Sequence, residues 1–158
     1  MLYVEVNVPE GRLSLAERRR LAAMLTADDI LAGELDPGAA GRCRPLTHVL
    51  VREAEVWLAG GRFAHASGSA RYLVTVHAGP WAEALAGRLV TEITRRIEDF
   101  EGDPDATRFG GRCLVHVVGV APGGVAAYGE VLTGAGLAAD ERAPGASPGR
   151  PRLSEVPG

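Results

Sequence analysis

The chain predicts an α/β fold in which a tandem β-α-β repeat forms one four-stranded sheet with two helices on one face. Three observations lead there. The segment YVEVNV (3–8) alternates valine with polar residues, the period of a strand with one buried face, and YLVTVH (72–77) opens a second run of the same kind. Each strand is followed by a helical pattern and then by another strand. Right-handed crossover within each unit places both helices on the same side of the sheet and leaves the other side bare. A bare face of valines and a few polar groups is commonly covered by association, so closure as a symmetric ring is expected.

Taken in order, Pro9-Glu10-Gly11 ends the first strand. Ser14 and Glu17 form a capping-box pattern that opens a helix running to about Leu31, with Leu21, Ala22, Met24 and Leu25 as its inward stripe. The Gly-, Ala- and Pro-rich stretch 33–45 is a long connection. A second strand follows from Thr47 to about Leu58, broken or bulged near Arg52 to Glu55, and 60–68 is a turn with Arg62 and His65 exposed on it. The second unit repeats the order: a strand at 72–77, a helix opening at Gly79-Pro80 with Leu85, Leu89, Ile93, Ile97 and Phe100 down one face, and a strand from Cys113 to Val120. Residues 125–132 form a last short strand or one helical turn. The first unit thus spans 1–69 and the second 70–137 of one domain, and the Pro- and Gly-rich 138–158 is a tail without regular packing.

Composition bounds the function. The chain has 158 residues, 46% of them hydrophobic, enough for one core; it shows neither a run long enough to span a membrane nor a secretory signal, so a cytoplasmic address is expected. A net charge of -3 with both signs interspersed argues against a nucleic-acid partner. Cys43 and Cys113 lack a CxxC pattern and read as reduced packing residues. No HxH or HExxH spacing is present, so no metal is expected, and no glycine-rich loop has a phosphate-binding context, so no nucleotide cofactor is expected either. All 17 basic residues are arginine, which excludes Schiff-base chemistry through lysine.

The duplicated β-α-β pattern, the strand at the amino terminus, VWLAGG (56–61) and VGVAPGGVAAYGEVLTG (118–134) resemble the tautomerase superfamily in its fused trimeric form. The resemblance is nearest to cis-3-chloroacrylic acid dehalogenase, with malonate semialdehyde decarboxylase next, and covers about residues 2–137. It implies a homotrimer with pockets at subunit contacts, where an amino-terminal proline acts as base beside arginines. This chain departs from that pattern at the matched positions. Leu2 stands where the proline belongs, the pocket histidine falls on Asp29, the two arginines on Ala78 and Trp81, the pocket tyrosine on Val117, and a glutamate on Ala127.

Three readings follow. The first is an isomerase or lyase-like enzyme with a rebuilt pocket acting on an enolisable carbonyl compound. In it Asp29 serves as base, the Met1 amine is a weak substitute for the proline, Trp81 makes the site less anionic, and Leu2, Arg52, Ala78, Val117 and Tyr128 contact the substrate. The second is a small-molecule-binding or assembly protein without catalysis. The third places the work in another cavity, built from His48, His77, His116, Arg52 and Arg112. Each candidate also has an ordinary structural role: strand histidines beside valines are commonly hydrogen-bonded packing residues, Arg52 and Arg112 pair with nearby acids, Asp29 is a solvated charge at a helix end, Tyr128 packs, and Trp81 staples its helix to the sheet.

Overall fold

A computed structural model of the protein describes residues 2–34, 41, 44–59, 61–63, 71–79, 84–103, 113–121, 124, 126–127 and 130–131. Strand β1 (Leu2–Pro9) buries Leu2, Val4, Val6 and Val8 completely while Tyr3, Glu5 and Asn7 stay half-covered on its other side. Burying each aliphatic side chain stabilises the fold by about 1.5–3 kcal/mol, and the strict alternation fixes which way the strand must face. β2 (Thr47–Ala54) lies parallel to β1, β5 (Tyr72–Ala78) antiparallel to it, and β6 (Cys113–Gly119) parallel to β5, giving the order β2-β1-β5-β6.

The strand phrases 3–8 and 72–77 match by their opening tyrosines in sequence, but not by face. Tyr72 is buried among the core valines, whereas Tyr3 lies on the opposite side of the sheet. Because side chains alternate with a period of 2, the true equivalence pairs Leu2 with Tyr72, Val4 with Val74, Val6 with Val76 and Val8 with Ala78, all buried.

Helix α1 (Leu15–Met24) begins at the expected capping box: Glu17 N–H donates to Ser14 Oγ at 3.3 Å, and Ser14 N–H to Glu17 Oε2 at 2.7 Å. The single helix expected to about Leu31 is two. α1 stops at Leu25, Thr26 adopts extended backbone, and a short α2 (Ala27–Ile30) follows. Thr26 is β-branched and spends its hydroxyl on the Asp29 carboxylate at 2.7 Å, so the break has a local side-chain partner. A 3-10 turn (Arg44–Leu46) leads into β2.

Helix α3 (Ala86–Glu101) carries the second unit. Leu89, Ile93, Ile97 and Phe100 lie on one face and are buried against the sheet. Gly102, at φ 70, ends it in the left-handed conformation, its N–H donating to Glu98 O at 2.9 Å. The expected start at Gly79-Pro80 falls on a segment whose residues 80–83 lie outside the described ones.

The second strand is shorter than expected, ending at Ala54. Leu58–Ala59 (β3) instead pairs antiparallel with Arg62–Phe63 (β4) in a hairpin that replaces the expected open turn. The last segment resolves as a matching hairpin, Ala126–Ala127 (β7) with Glu130–Val131 (β8). Each unit is therefore strand, helix, strand, hairpin. At one end of the sheet Tyr72 donates a short hydrogen bond to Glu101, which also pairs with Arg12 at 2.7 Å, tying β5, α3 and the β1–α1 turn together. Burial first, and then the bond to Glu101, raises the Tyr72 phenol well above its ordinary value.

Candidate functional site

The amino-terminal end of β1 is where the sequence placed the chemistry. There Leu2 pairs with Thr47 of β2 on one side and Ala78 of β5 on the other, and both Leu2 and Ala78 are buried in the core. Beside the start of β2, α1 ends, α2 begins and the 3-10 turn arrives, and they border an open-sided cavity of about 330 Å³. Its polar lining is Thr26, Asp28, Arg44 and Thr47, with Val49 as an apolar wall. Arg44 Nε donates to Asp28 Oδ2 at 2.7 Å, and Nη2 lies 2.5 Å from the same oxygen. An acid and a guanidinium therefore share one mouth, beside two threonine hydroxyls.

Asp29 faces elsewhere. Its carboxylate accepts from Thr26 and lies 3.5 Å from Arg96 Nη1 of α3, whose Nη2 also donates to the Asp29 carbonyl oxygen at 3.1 Å. The break after Leu25 divides the pair: Asp28 lines the cavity and Asp29 bridges to α3. Arg44 and the role of Asp28 were not singled out from the sequence. The signal was faint because Arg44 sits in a Gly-, Ala- and Pro-rich connection with no periodic pattern to place it.

The remaining candidates spread over the molecule. Val117 packs against the core on the helix-covered face, paired with Val76. Arg52 is exposed on the other face, opposite Asn7 and 3.8 Å from Glu5. Met1, Trp81, Tyr128, Arg112, His65 and Cys43 lie outside the described residues. A groove of about 210 Å³ between α2 and α3, lined by Glu34, Arg88, Thr91 and Glu92, is spanned by the Arg88–Glu34 ion pair.

The described histidines, His48, His77 and His116, all lie on the helix-free face. Tyr3 stands between His48 and His77 in the register, its ring 5.6 Å from that of His77, and its hydroxyl donates to Glu5 Oε2 at 3.2 Å. One row along, Leu50, Glu5, Thr75 and His116 lie side by side. Among the described residues no three His, Cys, Asp or Glu side chains converge as metal ligands. Cys113 is a free thiol at the start of β6, and burial first, then Glu98, pushes its pKa up to about 12, which keeps it protonated and poorly nucleophilic near neutrality. Among the described residues no helix is long and apolar enough to cross a membrane.

No family model and no curated protein sequence matches the chain. Solved structures do. Pt0534 inactivated by 2-oxo-3-pentynoate is similar with a TM-score of 0.60 at 16% identity, over 82% of this chain and 94% of that one. N1, a member of the cis-3-chloroacrylic acid dehalogenase family, has a TM-score of 0.58 at 20% identity, over 82% of each chain. The R7 fused 4-OT asymmetric trimer gives 0.59 at 16% identity, over 87% of this chain and 99% of that one. The Toxoplasma gondii macrophage migration inhibitory factor gives 0.53 at 11% identity, over 82% and 99%. With the duplicated β-α-β units and the strand order β2-β1-β5-β6, these likenesses show that the chain has the fold of the tautomerase superfamily.

Proposed function

We propose that the protein is a tautomerase-like isomerase for a small enolisable carbonyl compound, working as a cytoplasmic homotrimer without a proline base. The observation that carries this reading is the cavity at the start of β2, next to the amino-terminal end of β1, where Asp28 and Arg44 meet beside Thr26 and Thr47. Tautomerisation needs one group that takes a proton from the enol hydroxyl and returns one to carbon, and a cation that holds the oxyanion between the two steps. Asp28 takes the first role. Arg44 takes the second, or binds a substrate carboxylate, by giving part of its fork to the ligand and part to Asp28. The proton count balances and no redox partner is required. A 2-oxo acid is the substrate class that suits a guanidinium at the mouth, and the fold neighbour Pt0534 is inactivated by a 2-oxo compound. Ala22, Ala27 and Val49 form the apolar lining of the cavity. Asp29, turned toward Arg96, is the alternative carboxylate, and the Met1 amine a weak third base.

The test is the ultraviolet-monitored ketonisation of phenylenolpyruvate and 2-hydroxymuconate by the purified chain. Loss of a general base lowers turnover by about 10²–10⁴-fold. That loss is expected for Asp28→Asn, with a raised KM for Arg44→Ala and a small effect for Asp29→Ala. Turnover that survives both aspartate substitutions would remove the carboxylate mechanism.

A second reading has its own observation: Leu2, at the family's proline position, is a fully buried aliphatic side chain that offers no proton carrier. It describes a ligand-binding protein on the same fold. Thermal stabilisation by 2-oxo acids that are never consumed, by either the parent chain or its variants, would favour it.

A further inference from the structure

Two arginines of α3 reach back to the segment that follows α1. Arg88, Glu92 and Arg96 are spaced four apart, so they line one side of α3 next to its buried stripe of Leu89, Ile93 and Ile97. Arg88 pairs with Glu34, and Arg96 with Asp29. The Arg96 guanidinium is divided three ways: Nε donates to Glu92 Oε1 at 2.9 Å, Nη1 lies 3.5 Å from Asp29 Oδ1, and Nη2 donates to the Asp29 carbonyl oxygen at 3.1 Å. We propose that Arg96, which does not line the cavity, is the positioning residue that aims Asp28 into it, an inference that rests on the isomerase reading above.

Helix α2 cannot place Asp28 by itself. It has four residues, far short of the about 12–15 at which an isolated helix becomes marginally stable in water. Its backbone bonds run from Asp29 N–H and Ile30 N–H to Thr26 O, at 3.1 and 2.9 Å, and from Leu31 N–H to Ala27 O at 3.0 Å. Ala27, Ile30 and Leu31 bury its inner side in the core, and apolar burial is attraction without direction. Direction comes from the charge-assisted bonds at Asp29, which fix how α2 is turned about its axis. Successive residues of a helix are turned by about 100°, so holding Asp29 toward α3 leaves Asp28 toward Arg44 and the cavity. The main-chain contact also accounts for the small effect expected of Asp29→Ala. That substitution leaves the Nη2 bond in place, whereas loss of Arg96 removes both contacts.

The test uses Arg96→Met, which keeps most of the aliphatic stem and removes the fork, with Arg95→Met, whose partners are Glu92 and Asp99, as the control. Ketonisation kinetics and backbone amide hydrogen exchange are measured on each full chain. Misplacing a catalytic group by about 1 Å can cost about 10²-fold in rate, so Arg96→Met should lower kcat by about 10- to 10²-fold. KM, which depends on Arg44, should stay within about twofold. Exchange at the Ile30 and Leu31 amides should quicken about tenfold, with exchange at Val6 and Ile93 unchanged. Arg95→Met should match the parent chain in both measurements. Added to Asp28→Asn, Arg96→Met should lower turnover no further, because the group it aims is gone.

A kcat within about twofold of the parent in Arg96→Met overturns the inference. So does a further loss of about tenfold or more when it is added to Asp28→Asn, since Arg96 would then act other than through Asp28. In a parent chain that turns over neither compound the isomerase reading fails, and exchange alone judges the inference. Quicker exchange at Ile30 and Leu31 in Arg96→Met then upholds Arg96 as the residue that holds the Asp28 turn, and parental exchange overturns it. Should Arg96→Met fail to fold, Arg96→Lys, which keeps the charge without the fork, must show the same split of kcat from KM, and parental kinetics in it overturn the inference.

Discussion

The helix-covered face and the helix-free face of the sheet are built from the same strands yet obey different rules. On the first, every β1 and β5 position is Leu, Val, Tyr or Ala and each is buried; on the second, residue by residue, stand Tyr, Glu and Asn, then Leu, Thr and His. The first face determines the fold and tolerates nothing polar without a partner. The second leaves polar groups where they can meet solvent, a ligand or another copy. Core packing and polar surface are thus separated by the strand's own alternation.

The sharpest way to break the comparison is one substitution on each side of β1. Val6→Asp buries an unpaired carboxylate under α1 and α3, and we expect it to abolish folding, at a cost of about 3–5 kcal/mol, read as loss of the cooperative urea transition. Ile93→Ala probes the same face from the helix side and should cost about 2–5 kcal/mol in urea denaturation. Glu101→Gln tests the tie at the sheet's end: it weakens Arg12's ion pair and the Tyr72 hydrogen bond together, and about 1–3 kcal/mol should be lost, against about 0.5–1.5 kcal/mol for Tyr72→Phe. The smallest effect belongs to the open face, where Leu73→Thr should change monomer stability by no more than about 0.5 kcal/mol. A large loss there at low protein concentration would show that the two faces are not as separate as their composition says.

A further measurement sharpens the ion pairs of α3. Glu92 is held down to about pKa 2, chiefly by its hydrogen bond to Arg95 and then by Arg96. Its folded value lies below its unfolded one, so the stability it adds is present above the ordinary carboxylate range and is lost as pH falls toward 2. Its pairs lie at the helix surface, with the Glu92 side chain 27% exposed, and Glu92→Gln should remove no more than about 1 kcal/mol at neutral pH in a urea titration.

The fold was legible because its signals are periodic. The alternation of Val4, Val6 and Val8 and the spacing of Leu89, Ile93, Ile97 and Phe100 each specify an element and its inward face, and Ser14 with Glu17 marks a helix start within one turn. What failed was local. Nothing in ADDIL announces a helix that stops at Leu25 and restarts at Ala27, because the break is made by the backbone of Thr26 and its bond to Asp29. The same break decides which aspartate enters the cavity, so the candidate site inherited the uncertainty of one dihedral angle. Arg44 was invisible for a different reason: its meeting with Asp28 is a long-range contact across a connection without pattern. The resemblance to the tautomerase superfamily pointed to the amino-terminal end of β1, and one residue it named, Val117, is partly buried against the core.

The antiparallel joint between β1 and β5 has a further meaning. It is the contact that two identical halves would make about a twofold axis, except that peptide bonds now tether them. Free halves would have to present the same residues at both ends of that joint. Tethered halves are released from self-complementarity, and the two ends have drifted: Tyr3 meets His77 at one, while Asn7 meets Leu73 at the other. Tethering therefore leaves the two halves free to differ at every matched position, so each strand of the joint can be shaped for its own surroundings.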